Sequence, residues 1–219
     1  MPNSRHGRFI TFEGGDGAGK STQLRRLAAW LQARGHSVVA TREPGGSPAA
    51  EAIRGLLLSG RAKPLGALGE TYLFAAARID HLAETIEPAL ASGAIVLCDR
   101  FIDSTRVYQG IGGDLDPAVL AAIEAATIAG RLPDLTLVLD LAAERGQQRA
   151  RARSDTPDRF ESADLPLLEA RRQGFLAIAA AEPARCTVID ADRDADAVFA
   201  DVASRVAELL GLPEGLGDG

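Results

Sequence analysis

A chain of 219 residues, 46% hydrophobic and 25% charged, can bury one core of ordinary domain size, which excludes wholesale disorder and leaves little room for a second domain. Its 24 basic and 30 acidic residues give a net charge of −6, so no broad nucleic-acid-binding face is expected and phosphate recognition must be local. Two lone cysteines, Cys98 and Cys186, and three scattered histidines, His6, His36 and His81, offer neither a disulfide framework nor a zinc cluster. No run approaches the roughly 18 apolar residues of a spanning helix, and the polar N-terminus has no apolar leader core, so a cytoplasmic protein with no membrane partner is expected.

Gly7–Glu13, with Phe9, Ile10 and Phe12, reads as a buried strand that stops abruptly at Gly14-Gly15-Asp16-Gly17-Ala18-Gly19. From Lys20 to Arg34, Leu24, Leu27, Ala28 and Leu31 fall at helical spacing, and Gly35 closes the helix. Ser37–Thr41 predicts a second strand, followed by the turn cluster Arg42-Glu43-Pro44-Gly45-Gly46. Helices are expected over Pro48–Leu58 and, as one long element, over Gly69–Leu90. Ala94–Cys98, ending in Asp99-Arg100, has pure strand character. A helix near Pro117–Ala129 leads to strands at Leu135–Leu139 and Cys186–Ile189.

Five short strands, read as apolar on both faces and separated by helices, predict an α/β fold with a five-stranded parallel sheet covered on both sides and right-handed crossovers. Reactive residues should then lie at the carboxyl ends of the strands. Ser154-Asp155-Thr156-Pro157-Asp158-Arg159 breaks the pattern between two helices and suits a lid over about residues 150–163; the last residues, 211–219, read as a frayed tail of a single domain spanning 1–219.

Gly14-x-x-x-x-Gly19-Lys20-Ser21 matches the Walker A pattern and sits between a strand and a helix, where that pattern must sit. The glycines let backbone N–H groups turn toward a polyphosphate at a helix N-terminus, so residues Gly14, Gly15, Asp16, Gly17, Ala18, Gly19, Lys20, Ser21 and Thr22 are the candidate ATP-phosphate site. Lys20 would bridge the β- and γ-phosphates and Ser21 would offer its hydroxyl to Mg²⁺. Asn3 is the only asparagine, which removes the guanine signature of GTPases and the catalytic-loop asparagine of protein kinases. A dinucleotide fingerprint fails because Lys20 stands where its third glycine is required.

Four further patches follow in order: Arg42-Glu43-Pro44-Gly45-Gly46, Phe74-Ala-Ala-Ala-Arg78, Asp99-Arg100-Phe101-x-x-Ser104 and Tyr108-Gln109-Gly110. With the P-loop they resemble the thymidylate kinases, P-loop enzymes that transfer the γ-phosphate of ATP to dTMP, giving dTDP and ADP for dTTP synthesis. The resemblance runs over roughly residues 8–210. Phe74 and Arg78 lie four apart on a predicted helix and so project from one face, as a ring and a guanidinium reading a pyrimidine would; a core phenylalanine and a snorkelling arginine would share the spacing.

The resemblance implies that Phe74 stacks on thymine, that Arg78 bonds its exocyclic oxygen, and that Arg100 holds the acceptor phosphate. It implies that Asp99 stands beside Mg²⁺, that Asp16 contacts the sugar 3′-hydroxyl, and that Glu43, Ser104, Tyr108 and Gln109 help to bind dTMP. It further implies a homodimer. Asp140 follows a strand and could be a metal-side carboxylate or a helix cap. Gly17 and Ala18 replace the P-loop arginine of some relatives, while Arg149, Arg151, Arg153 and Arg159 lie in or before the lid, as in the bacterial subclass; Arg153 is favoured as the third catalytic residue, with Lys20 and Arg100. Two other functions use a P-loop: a partner-regulated ATPase, which would hydrolyse ATP without an acceptor, and a nucleoside kinase, which would need a general base that Asp16 or Glu43 could supply.

Overall fold

The computed structural model describes residues 7–111, 115–153 and 163–212. Among them, strands β1 (Arg8–Glu13), β2 (Val38–Arg42), β3 (Ile95–Asp99), β4 (Leu135–Asp140) and β5 (Cys186–Asp190) form one parallel sheet in the order β2-β3-β1-β4-β5. Parallel pairing requires crossovers, and these are helical: α1 (Lys20–Ala33), α2 (Pro48–Leu58), α3 (Gly66–His81), α4 (Glu87–Ala91), α5 (Ile102–Thr105), α6 (Pro117–Ile128), α7 (Ala143–Arg153), α8 (Leu165–Ala181) and α9 (Ala195–Leu210). The expected fold class is the observed one.

Successive side chains of a strand point to opposite faces, and β1 shows the result. Ile10 and Phe12 join Leu27 and Leu31 of α1 and Val202 of α9 on one side of the sheet. Phe9 joins Ile86, Val96, Cys98 and Phe101 on the other, with its ring edge-on to that of Phe101. Val107, Val138 and Phe175 form a further cluster against α8.

Two sequence expectations are corrected. The five strands are not all apolar on both faces: β2 and β5 are half-open, with Val188 45% exposed, because they form the edges of the sheet and each has a neighbour on one side only. Nor is Gly69–Leu90 one helix. After α3 the chain widens through Leu82–Ile86, where the Glu87 N–H bonds the Leu82 carbonyl, before α4 resumes. Pro88 supplies the reason, since it lacks the N–H that a regular helix would donate to Glu84 and its ring crowds that carbonyl.

Because all strands run one way, Glu13, Arg42, Asp99, Asp140 and Asp190 end them along a single edge, with Asp99 in register with both Phe12 and Arg42. The lid stretch Ser154–Asp158 with Arg159, and the tail from residue 213, lie outside the described residues.

Candidate active site

Beyond β1 the chain turns through the phosphate loop into α1. Gly14 (φ 126°) runs so close to β4 that a Cβ would lie 2.4 Å from the Leu139 carbonyl, and one on Gly17 (φ 77°) would lie 2.1 Å from the Gly146 carbonyl in α7. Only glycine fits either position, by conformation and by space. The loop is thus clasped between the end of β4 and the start of α7, a contact between residues far apart in the chain.

Lys20 opens α1 and is buried. Its Nζ donates to the carbonyls of Gly14 at 3.0 Å and Gly15 at 2.7 Å. Burial, and then the charge of Arg100, bring its pKa down to about 8 against the pull of Asp16, Asp99 and Glu13. Ser21 and Thr22 follow, exposed at a helix N-terminus that has no acidic residue in its first turn and no side-chain cap, which suits an anionic phosphate. Ser21 Oγ donates to Asp99 at 2.5 Å. These are two hard oxygen donors, the chemistry Mg²⁺ takes when phosphates and water complete its octahedron.

Arg100, immediately after β3, adopts φ 71°, uncommon outside glycine, with its N–H bonded to the Phe12 carbonyl at 2.9 Å. The bend turns its guanidinium back over the phosphate loop, where it donates to Asp16 at 2.5 Å, to the Gly14 carbonyl at 3.2 Å and to Ser104 Oγ at 3.0 Å. Burial works against its charge, but Tyr108 and the carboxylates of Asp16, Asp99 and Glu13 outweigh this and raise its pKa further. For Asp16 burial pulls upward, and Arg100 with Lys20 overcomes it, so the carboxylate is held below its usual range. The Tyr108 hydroxyl donates to the other Asp16 oxygen at 3.2 Å, and burial pushes its own pKa up.

Phe74 and Arg78 stand on α3 and both border the cleft, as their spacing predicts. Arg78 is 3% exposed, with Nε on Glu43 at 2.7 Å and NH2 on Thr105 Oγ1 at 2.9 Å and the Phe101 carbonyl at 3.2 Å. Tyr108 and Gln109 enter from the turn Arg106–Ile111, which Arg106 anchors to Asp103 at 3.0 Å, Glu182 at 2.7 Å and Glu124. Asp16, Ser21, Glu43, Asp99, Arg100 and Ser104 also line this cleft, whose free space is about 200 Å³. Asp16 of the phosphate loop, the oxygens of Ser21 and Asp99, the guanidiniums of Arg78 and Arg100 and the ring of Phe74 therefore border one cavity.

Other basic residues go elsewhere. Arg149 donates to the Ala191 carbonyl at 3.2 Å beside Asp192, and Arg151 is exposed. The side chain of Arg153 and all of Arg159 lie outside the described residues. Asp140 is gripped by Arg172 at 2.6 and 2.9 Å.

Glu13 was missed by sequence reasoning. Fully buried, it accepts from the Phe101 N–H at 2.8 Å, the Ser104 N–H at 3.2 Å and Ser104 Oγ at 2.6 Å, and burial, then the charge of Asp103, brings its pKa up to about 7. An acidic residue ending an apolar strand was its one visible signal. His81 and Gly146 were missed as well; His81, three residues beyond Arg78 on the same helix, could have been found from that spacing.

A family model described as Thymidylate kinase matches residues 12–202. The chain is 56% identical over 206 residues to a thymidylate kinase of Caulobacter vibrioides, covering 94% of this chain and 99% of that one. It is 58% identical over 202 residues to that of Nitrobacter winogradskyi, covering 91% and 88%. A crystal structure of thymidylate kinase from Ehrlichia chaffeensis superposes with a TM-score of 0.75 at 35% identity, over 91% of this chain and 98% of that one. By the family model, which spans most of the chain, and by relatives more than half identical over nine-tenths of it, this chain belongs to the thymidylate kinase family.

Proposed function

We infer that the cleft catalyses transfer of the γ-phosphate of ATP to dTMP, giving dTDP and ADP for dTTP synthesis, with the following division of labour. The phosphate loop, Lys20 and the N-terminus of α1 hold the ATP phosphates. Ser21 and Asp99 would hold Mg²⁺, which would supply charge neutralisation between the donor and leaving oxygens. Arg100 takes the acceptor phosphate, Asp16 and Tyr108 face the sugar, Phe74 stacks on the base, Arg78 donates to its exocyclic oxygen, and Ser104 and Gln109 complete the wall. Glu43 contributes from behind Arg78.

The observation that carries this reading is the reach of Arg100 from the end of β3 to Asp16 inside the phosphate loop, which puts the acceptor's cation against the donor's cradle. A phosphate monoester with a second pKa of about 6 is already largely dianionic at neutral pH, so the attacking oxygen needs no general base. The obstacle is repulsion between two polyanions, and Lys20 with Arg100 meets it by shielding and in-line positioning. Arg153 is assigned the transferring phosphate when the lid closes and excludes water.

No helix among the described residues is long and apolar enough to cross a membrane, and both cysteines are buried free thiols, which supports a cytoplasmic setting. Leu65, just before α3, and Leu68, Tyr72 and Ile79 along it are all more than two-fifths exposed and recur at spacings of 3, 4 and 7, an apolar stripe that supports pairing with a second copy. Sedimentation equilibrium tests the pairing, and a monomer at micromolar concentration would reject it.

The activity test is ADP release from Mg-ATP with no acceptor and then with dTMP, dUMP, dCMP, GMP or thymidine. Strong stimulation by dTMP, less by dUMP and none by thymidine is expected. Acceptor-independent hydrolysis would favour the ATPase alternative, and stimulation by thymidine the nucleoside kinase.

A further inference from the structure

Behind the Phe74–Arg78 face a line of polar groups continues past Glu43 to buried His81 and half-buried Thr41, neither of which has an assigned role. His81, with no exposed surface, sits at the C-terminal end of α3. Its Nε2 lies 2.7 Å from Thr41 Oγ1 on β2, and its Nδ1 lies 3.1 Å from Glu43 Oε1. The other oxygen of Glu43 takes the bond from Arg78 Nε at 2.7 Å. A carboxylate only accepts, so the ring nitrogen facing Glu43 carries the proton, and in the neutral ring the opposite nitrogen receives the Thr41 hydroxyl proton. With the ring neutral, one order of donors runs through the line, from Thr41 to His81 to Glu43, with Arg78 donating to Glu43 from the far side.

The backbone makes room for this line. A Cβ on Gly46 would lie 2.3 Å from Thr41 Oγ1 and 2.4 Å from His81 Nε2, so that glycine closes directly over the hydrogen bond between them. The same loop is fastened to α3 and the turn after it by Ser47 on Asp80 at 2.6 Å and by Thr85 on the Gly46 carbonyl at 2.8 Å. Glu43 therefore cannot drift with its loop, and its remaining freedom is rotation of its own side chain, which the His81 bond removes. With Glu43 fixed, Nε and NH2 of Arg78 are both committed, to Glu43, Thr105 and Phe101. Among the described residues those bonds use neither hydrogen of NH1, which is the nitrogen left for the cleft.

We propose that His81 is a positioning residue for base recognition: with Thr41 it fixes the rotamer of Glu43, and through Glu43 it sets the direction in which Arg78 presents a donor to a pyrimidine's exocyclic oxygen. This rests on the reading of Arg78 as the base-edge donor. A loosely held guanidinium could also swing away and admit an exocyclic amino group, so the line serves selectivity as well as affinity.

Two substitutions separate the ring nitrogens. His81→Asn keeps a donor where Nδ1 stands, and His81→Gln puts its polar group where Nε2 stands and takes the donor from Glu43. His81→Gln is expected to raise KM for dTMP about tenfold, the scale of one lost charge-assisted hydrogen bond, with kcat and KM for ATP within twofold and with a reduced preference for dTMP over dCMP. His81→Asn is expected to restore most of that loss. Equal behaviour of the two variants overturns the proposal, as does a joint loss in kcat and in both KM values, which marks a purely structural role. If His81→Gln fails to fold, Thr41→Val, which removes only the hydroxyl, is expected to raise KM for dTMP a few-fold at constant KM for ATP, and wild-type values there overturn the proposal. Arg78→Lys, measured alongside, distinguishes the two levels. Unchanged base preference in that variant defeats the reading of Arg78 itself, whereas changed preference there with wild-type behaviour of His81→Gln defeats only the role of His81.

Discussion

Arg100 donates to Asp16 at 2.5 Å, so an ion pair between residues 84 positions apart joins the end of β3 to the phosphate loop. The two positions should be strongly coupled. Arg100→Ala and Lys20→Ala are each expected to lower turnover by about two orders of magnitude, as the loss of a preorganised charge requires. Asp16→Ala combined with Arg100→Ala should cost clearly less than the sum of the single losses in kcat/KM for dTMP. Strict additivity in that cycle, or near-wild-type turnover of a folded Arg100→Ala, contradicts the pairing.

Lys20, with a pKa brought down to about 8, is partly neutral at mildly alkaline pH in the free enzyme. A bound polyphosphate favours the charged form, so ATP binding at pH 8 should take up about half a proton and at pH 7 almost none. Calorimetry in buffers of differing ionisation enthalpy measures this directly. Equal uptake at both pH values would place the linked proton on another group.

Gly146 is the counterpart of the phosphate loop on α7. A Cβ there would stand 2.5 Å from the Asp16 carbonyl. Gly146→Ala should therefore push the loop out of place and weaken ATP binding at least tenfold, although alanine favours the helix itself. Equilibrium binding of a fluorescent ATP analogue tests it, and unchanged affinity with a raised Tm would show that the loop yields.

The difference between what was and was not legible in the sequence follows from range. Lys20, Ser21, Phe74 and Arg78 were readable because their chemistry depends on spacing within one loop or one helix. Arg100 was readable as a residue, yet its φ of 71° was not, since nothing local prescribes that conformation for a non-glycine. Gly146 acts on the phosphate loop, and His81 on Thr41 and Glu43, across long stretches of chain; the spacing from Arg78 marks the face of α3 that His81 shares, but a single sequence offers no pattern for the partners of either residue. The widened turn after α3 escapes the reading of Gly69–Leu90 as one helix, although Pro88 lies inside that stretch.

Asp103 makes the strongest purely structural prediction. It is 1% exposed and accepts both NH1 and NH2 of Arg185 at 2.8 Å, while Thr136 Oγ1 takes a third bond from NH1. Removing the carboxylate strips NH1 and NH2 of their shared counter-ion and leaves Glu182, on Nε at 2.7 Å, as the carboxylate still paired with the guanidinium, so Asp103→Ala should destabilise by about 3 kcal/mol, read from urea unfolding. Asp103 also pairs with Arg106, which anchors the turn bearing Tyr108, so the KM for dTMP should rise in any fraction that stays folded.

Glu13 gives stability a pH dependence of determinate sign. Its pKa is about 7 when folded, against an ordinary value of 4.5, so between these limits the folded chain keeps a proton that the unfolded chain has lost. Raising the pH through this window removes that advantage, and the group's contribution, complete below about pH 4.5, is gone above about pH 7. Glu13→Gln has no proton to lose, so its stability relative to the parent should improve from pH 5 to pH 8. The other shifted groups of the site act elsewhere: the lowered pKa of Asp16 gives stability that is lost only as pH falls below its ordinary 3.8, and Lys20 acts between about 8 and 10.5, where stability rises with pH. Urea unfolding of both proteins at pH 5 and pH 8 isolates Glu13, and a difference that stays constant or moves the other way would show that its carboxylate is already ionised in the folded protein at pH 5.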